Sequence, residues 1–393
     1  MWSMMKKNSL MQFFFLAVLF FYISEALGSE VSGYFKTFAI HNDGNLFRGS
    51  QTSWENVLRL RLVEQFHENV RGELVYSFHP SVRKAVSENS LLYSSPFSYR
   101  IEDFDNSLGK LGRDVPIFHN LDRLNLSLSL PFADLQLGRQ AISFGKARVL
   151  NPCDIISPFS FDTLDQEERL GVDAIRAIIP LGDLSDIDMG YIAGRHFSML
   201  QSAAFVNGNF HFWGSDFMAT AMYFRKNMLL GLGLQRAFWE AGMWAECAYT
   251  FTNSFEAGIK DNHYFRSSIG ADYNFTENVY AFAEYHYNQI GVSSSKSLSE
   301  HISQVGYTQG SVYLLRRHYF VPGFIWQITP LMSIRGEIFC NIDTPSGFST
   351  LNVGYSFFEN SYFDVGFSQV FGEPTSEFKQ YFNRYFLSLR HYF

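Results

Sequence analysis

Charged side chains recur at alternate positions inside otherwise apolar segments. Arg59 and Arg61 do so in VLRLRLV, Arg71 and Glu73 in VRGELVYSF, Arg335 and Glu337 in LMSIRGEIF, and Asp364 in FDVGFSQV. A strand has a side-chain period of two, so these charges share one face and the leucines, isoleucines and phenylalanines between them take the other. The same parity adds Arg123, Arg176, Arg266, Arg384 and Arg390, together with Glu246, Asp272 and Glu284. The set holds nine arginines and six carboxylates. Such a face could bias a water-filled passage toward anions, or pair across neighbouring strands and brace the wall. Arg139 breaks the pattern: strict alternation points it toward the apolar side with Leu135 and Leu137, and a bulge at Gly138 would turn it back.

A second cluster lies in the stretch 144–171, where Lys146, Arg148, Asp154, Asp162, Asp165, Glu167, Glu168 and Arg169 alternate with Pro152, Ile155, Ile156, Pro158, Phe159 and Phe161. So apolar a run seeks burial. It reads as a constriction loop folded into a pore, with a solvated surface loop as the other reading. Covalent chemistry has little support. There is no G-x-S-x-G, H-E-x-x-H or C-x-x-C, so no catalytic residue, metal site or cofactor is expected. His286 beside Glu284 reads as a pair on the inner face, and Cys153, Cys247 and Cys340 as unpaired thiols.

The elements that must position these residues are strands. Charged residues make up only 18% of the chain, while Phe and Tyr number 42 and 21. Mean hydropathy is near zero, and no segment of the mature chain could cross a bilayer as an apolar helix. Alternating segments are expected near 32–41, 54–66, 70–79, 121–132, 134–143, 172–181, 186–194, 201–212, 216–225, 228–236, 240–251, 263–275, 279–289, 318–328, 331–341, 347–358, 361–371 and 381–393. That is eighteen, or sixteen if a hairpin near 201–236 is miscounted. Short turns alternate with longer connections, the longest near 80–120, 144–171 and 290–317. The tight RKN turn at 225–227 is the exception. The fold class is therefore all-β: a transmembrane antiparallel β-barrel, closed because an unpaired strand edge in lipid is costly. Tyr34, Trp54, Phe66, Phe78, Phe132, Phe275, Tyr287, Trp326, Phe357 and Phe371 would form its aromatic girdles.

Residues 1–28 read as a cleaved signal peptide, with Lys6 and Lys7, an apolar Met11–Ile23 core, and Ala26 and Gly28 before the cut. Residues 29–393 are then the barrel. A net charge of −7 gives no reason to expect a nucleic-acid partner.

With these features together the chain resembles a Gram-negative outer-membrane porin. The terminal strand YFNRYFLSLRHYF resembles the signal by which such proteins are recognised for assembly, with Phe393 as its last residue. The segment LGRQAISFGKARVLNPCDIISPFSFDTLDQEERLGVDAIRAIIPLG, residues 137–182, is similar to porin-like barrels related to the alginate-export family. The resemblance implies residence in the outer membrane, contact with its lipid and with the barrel assembly machinery, and passage of a small hydrophilic solute, anionic solutes included. It also implies a barrel that works alone or as a homotrimer. A substrate-specific export or uptake barrel, a receptor, and a barrel-embedded hydrolase are the competing readings.

Overall fold

The computed structural model describes residues 30–44, 49–83, 99–102, 106–111, 115–158, 164–254, 263–293, 304–308, 312–374 and 376–393. The signal segment 1–28 lies outside them.

Strand β1 is Glu30–Asn42, β2 Gln51–His67, β3 Val70–Arg83, β4 Asn106–Leu111, β5 Val115–Leu130 and β6 Ala133–Gln140. Then come β7 Val172–Pro180, β8 Asp186–Ile192, β9 Ala203–Phe212, β10 Ser215–Phe224, β11 Asn227–Phe238 and β12 Ala241–Phe251. The last are β13 Tyr264–Thr276, β14 Val279–Asn288, β15 His318–Thr329, β16 Met332–Asn341, β17 Ser346–Phe358, β18 Ser361–Phe371 and β19 Arg384–Tyr392. The sequence does not announce β4, which falls in the connection 80–120 and pairs only with β5. The other eighteen form one closed antiparallel barrel, each strand beside its sequence neighbour and β19 beside β1. Closure runs from Tyr34↔Tyr392 to Asn42↔Arg384. It ends with two bonds, Gly33 N–H to the Phe393 carbonyl (2.9 Å) and Phe393 N–H to the Gly33 carbonyl (3.0 Å). The terminal strand thus satisfies the last free edge.

Short turns gather at the end of the barrel where Glu30 and Phe393 lie. Long connections gather at the other, where the 225–226 turn stays tight because Arg225 and Lys226 adopt φ of +46° and +74°. Several register shifts sit beside the short turns, at Gln65/His67, Asn274/Thr276, Gln327/Thr329 and Ser356/Phe358. A further one, opposite Val75/Tyr76, turns Asp122 and Arg123 to the same buried side.

The outer wall exposes Leu124, Leu126, Ile175, Leu232, Ile269 and Leu387, as alternation requires. The inner face departs from expectation. Toward the loop end it is apolar: Tyr34, Phe38 and Ile40 on β1, Phe205 on β9, Met218 and Met222 on β10, Tyr319, Val321 and Phe339 on β15 and β16. Those of β9 and β10 cluster with Ile142, Phe144, Cys153, Ile155 and Ile156 of the 141–171 connection, those of β15 and β16 with its Leu150 and with Leu314 and Phe378 of two others, and those of β1 with Val57, Phe386 and the connection's Leu164. Loops entering the lumen replace water there, so apolar side chains are stable inside the barrel. Tyr34 and Phe78 are accordingly corrected as girdle residues, being 5% and 4% exposed. Trp54, Phe66, Phe132, Phe275, Trp326, Phe357 and Phe371 are exposed on the outside. Arg139 needs no bulge. The ladder runs unbroken through Gly138, whose φ is +111°, and Arg139 is buried with Asp173 at 2.7 Å.

Candidate functional site

The connection 141–171 crosses the lumen and is held at two places. Its first half, from Lys146 to Cys153, faces the inner surface of β12–β14. Glu246, on β12, accepts the backbone N–H groups of Lys146 (2.5 Å), Ala147 (2.8 Å) and Cys153 (2.8 Å). Glu284, on β14, accepts those of Arg148 (2.9 Å), Val149 (3.2 Å) and Leu150 (2.7 Å), and the Trp244 indole N–H at 2.8 Å. Both carboxylates are almost fully buried. Arg266 and Ser268 of β13 donate to the carbonyls of Pro152 (2.7 Å) and Leu150 (2.6 Å). His286 bonds Ser268 at 2.8 Å, so it does not pair with Glu284.

The second half turns back to the barrel seam. Lys36 of β1, buried under the ring of Tyr34, meets Asp165 at 2.9 Å and Glu167 at 2.5 Å. Tyr392 donates to Glu167 at 2.7 Å. Arg59 bridges Asp122 (2.6 Å) and Glu168 (3.2 Å), and Arg123 holds Asp122 at 2.8 Å and the Arg169 carbonyl at 2.7 Å. Burial pushes the Glu167 carboxyl up, but the bonds from Lys36 and Tyr392 outweigh it and leave it below the usual range. Arg169 in turn is ion-paired with Asp154, whose burial raises its pKa to about 6 despite that partner.

The remaining residues named from the sequence stand along the wall. Arg61 pairs with Glu73 (2.7 Å), Arg176 with Asp188 (2.7 Å) and Arg390 with Asp364 (2.7 Å). Asp272 takes Arg148 from the loop and the Tyr280 hydroxyl at 3.0 Å. Arg384 is buried beside Asn42 at 3.2 Å. Arg71 and Arg335 are exposed, and Glu337 lines a cavity described below. Asp162 lies outside the described residues. The lumen charges therefore divide into those that anchor the loop and those that face the open part of the barrel. Two of the anchors, Lys36 and Asp122, escape a reading by parity. Lys36 shares its face with Tyr34, Phe38 and Ile40, which looks lipid-facing, and Asp122 is turned inward by the irregularity in β5.

Between the loop and the wall of β14–β16 lies a cavity of about 340 Å³. Arg148, Asn151, Asp154, Gln166 and Arg169 line its loop side. Tyr280, Phe282, Ile325 and Glu337 line the wall, and Tyr313 comes from the connection between β14 and β15. The guanidinium of Arg148 lies 4.6 Å from the Trp244 ring centre and 5.9 Å from that of Tyr280. The arrangement offers both signs of charge, planar amides and aromatic faces around one cavity and, among the described residues, no nucleophile–base pair.

No protein-family model and no curated protein matches the sequence. Solved structures do match in fold. A BenF-like porin from Pseudomonas fluorescens Pf-5 aligns over 93% of this chain and 98% of its own, at 11% identity and a TM-score of 0.59. Acinetobacter baumannii OccAB3 aligns over 93% and 99% at 11% identity and a TM-score of 0.58. Pseudomonas aeruginosa OccK2 (OpdF), solved in complex with glucuronate, aligns over 93% and 96% at 11% identity and a TM-score of 0.54. At such identities the likeness is one of fold: this chain has the eighteen-strand barrel of these porins.

Proposed function

We propose that the chain is an outer-membrane channel through which small hydrophilic solutes, anions among them, pass by facilitated diffusion. The observation that carries this is the inserted loop: it is held to two sides of the barrel yet leaves, against β14–β16, a cavity of about 340 Å³ lined by named polar side chains. Eighteen strands enclose a lumen wide enough for water, and a loop pinned across it turns a wide pore into a selective one. The exposed Arg71 and Arg335 support a mild preference for anions in the open part of the lumen. The porin neighbours support the same reading, and the glucuronate bound to one of them is consistent with an anionic solute there. Export through a cleaved signal peptide at residues 1–28, recognition of Phe393 by the barrel assembly machinery, and action as a monomer or homotrimer complete the proposal. A closer kinship of residues 137–182 with alginate-export barrels rests on their Gly-Arg-Gln, Asn-Pro-x-Asp and Gly-Val-Asp-Ala motifs alone.

The test is conductance in planar bilayers, after fractionation and a comparison of boiled and unboiled samples on a gel. Discrete channels from a heat-modifiable outer-membrane protein are expected. Recovery in the soluble periplasm, or a pure barrel that passes no current, defeats the proposal.

A further inference from the structure

The cavity beside the loop says more about its guest than "hydrophilic". Its volume of about 340 Å³ equals roughly eleven liquid waters, room for one hexose-sized ring. Its two cations are already matched, Arg148 by Asp272 and Arg169 by Asp154. Its acceptors are not. Asp154 Oδ1 and Asn151 Oδ1 are buried and accept no hydrogen bond among the described residues. Glu337 forms no ion pair or hydrogen bond among them either. An anion entering here meets two carboxylates, Asp154 and Glu337, against two arginines that are occupied.

Of these acceptors Glu337 is partly exposed on the cavity wall and within a guest's reach, so the favoured guest brings donors. Hydroxyl and ammonium groups both qualify, and the aromatic side chains decide between them. Arg148 already lies over the faces of Trp244 and Tyr280, so an organic cation finds them taken. Phe282 remains. The Phe282 ring lies across the bare Cα of Gly323, where a Cβ would approach it to 2.4 Å. It thus presents an apolar surface on the wall, suited to the C–H face of a ring. Asn151, Gln166 and Glu337 add planar groups that match neighbouring hydroxyls in pairs.

We infer that this cavity recognises an uncharged polyhydroxylated ring, a monosaccharide-like solute, in preference to a small anion. The inference rests on the channel reading above and adds the class of guest. Arginines in the open lumen admit anions; the cavity beside the loop selects hydroxyls.

The experiment is current block of single channels in planar bilayers by glucose, glucuronate and glucosamine, one neutral, one anionic and one cationic. Glucose is expected to block at the lowest concentration. Phe282→Ala is expected to weaken glucose block about three- to tenfold, the range of an aromatic contact. Asp154→Asn frees Arg169 from its carboxylate and is expected to move the preference toward glucuronate. Glu337→Gln, a milder change, should weaken glucosamine more than glucose. Stronger block by glucuronate than by glucose in the unaltered channel overturns the inference. So does unchanged glucose block in a conducting Phe282→Ala channel. A barrel that conducts nothing removes the channel reading itself, a separate outcome.

Discussion

One loop is held at two places by opposite chemistry. At the seam, side-chain carboxylates of the loop (Asp165, Glu167, Glu168) meet cations of the wall (Lys36, Arg59, Arg123). Across the lumen, carboxylates of the wall (Glu246, Glu284) meet six backbone N–H groups of the loop. The first grip depends on what the loop residues are. The second depends only on where their backbone runs, since any residue but proline supplies an N–H. The loop can therefore vary its side chains from 146 to 150 without losing that anchor, while changes at 165–168 release the seam.

The far wall supplies the largest test of this contrast. Replacing Glu246 and Glu284 together by Ala leaves six N–H groups without acceptors, each worth about 1 kcal/mol or more when buried. The loop is expected to leave the wall, and single-channel conductance in bilayers should rise severalfold. Alanine at Lys146 and Val149 should leave conductance nearly unchanged, because the N–H groups remain. Equal effects of the two sets would erase the distinction.

At the seam, Lys36→Met removes one member of a buried pair and leaves Asp165 and Glu167 facing each other. A loss of about 3 kcal/mol is expected, as for other broken buried pairs, seen as a lower temperature for the heat-modifiable gel shift. Lys36→Arg should recover most of it. Arg59→Gln should act in the same way, through loop position, because Arg59 is buried in its ion pairs.

A smaller effect comes with pH. Asp154 has a folded pKa raised from 3.8 to about 6. Its contribution to stability is therefore complete below about pH 4 and lost as pH rises through about 6. Glu167 is lowered, so its contribution is present at neutral pH and lost as pH falls through its folded value. Acidification from about pH 7.5 to about pH 5 should thus protonate Asp154 while the seam holds. The cavity loses a negative charge, and reversal potentials under a salt gradient should move toward anions. Asp154→Asn should remove that dependence.

The smallest change expected is from Arg335→Gln, at an exposed side chain that makes no hydrogen bond or ion pair among the described residues. It should shift the reversal potential a few millivolts toward cations at low salt, and not at high salt, where screening is within about 3 Å.

Alternation along the chain placed all eighteen barrel strands, most of them within two or three residues, and placed the short turns at one end. It did so because each strand must meet lipid on one face, a condition that acts residue by residue and is written locally. The same rule failed at β1, where Tyr34, Phe38 and Ile40 look lipid-facing yet lie inside. An apolar side chain records only that it avoids water; whether lipid or an inserted loop excludes that water depends on residues more than a hundred positions away. The charges of the loop and of the wall were legible as charges. Their pairing was not, since Lys36 and Asp165 are 129 positions apart and Leu150 and Glu284 are 134 apart. The anchors at Lys146–Leu150 are made by backbone N–H groups, which every sequence except proline carries alike. Only the tertiary structure, by bringing that backbone against two buried carboxylates, decided which part of the loop is held and where the cavity opens.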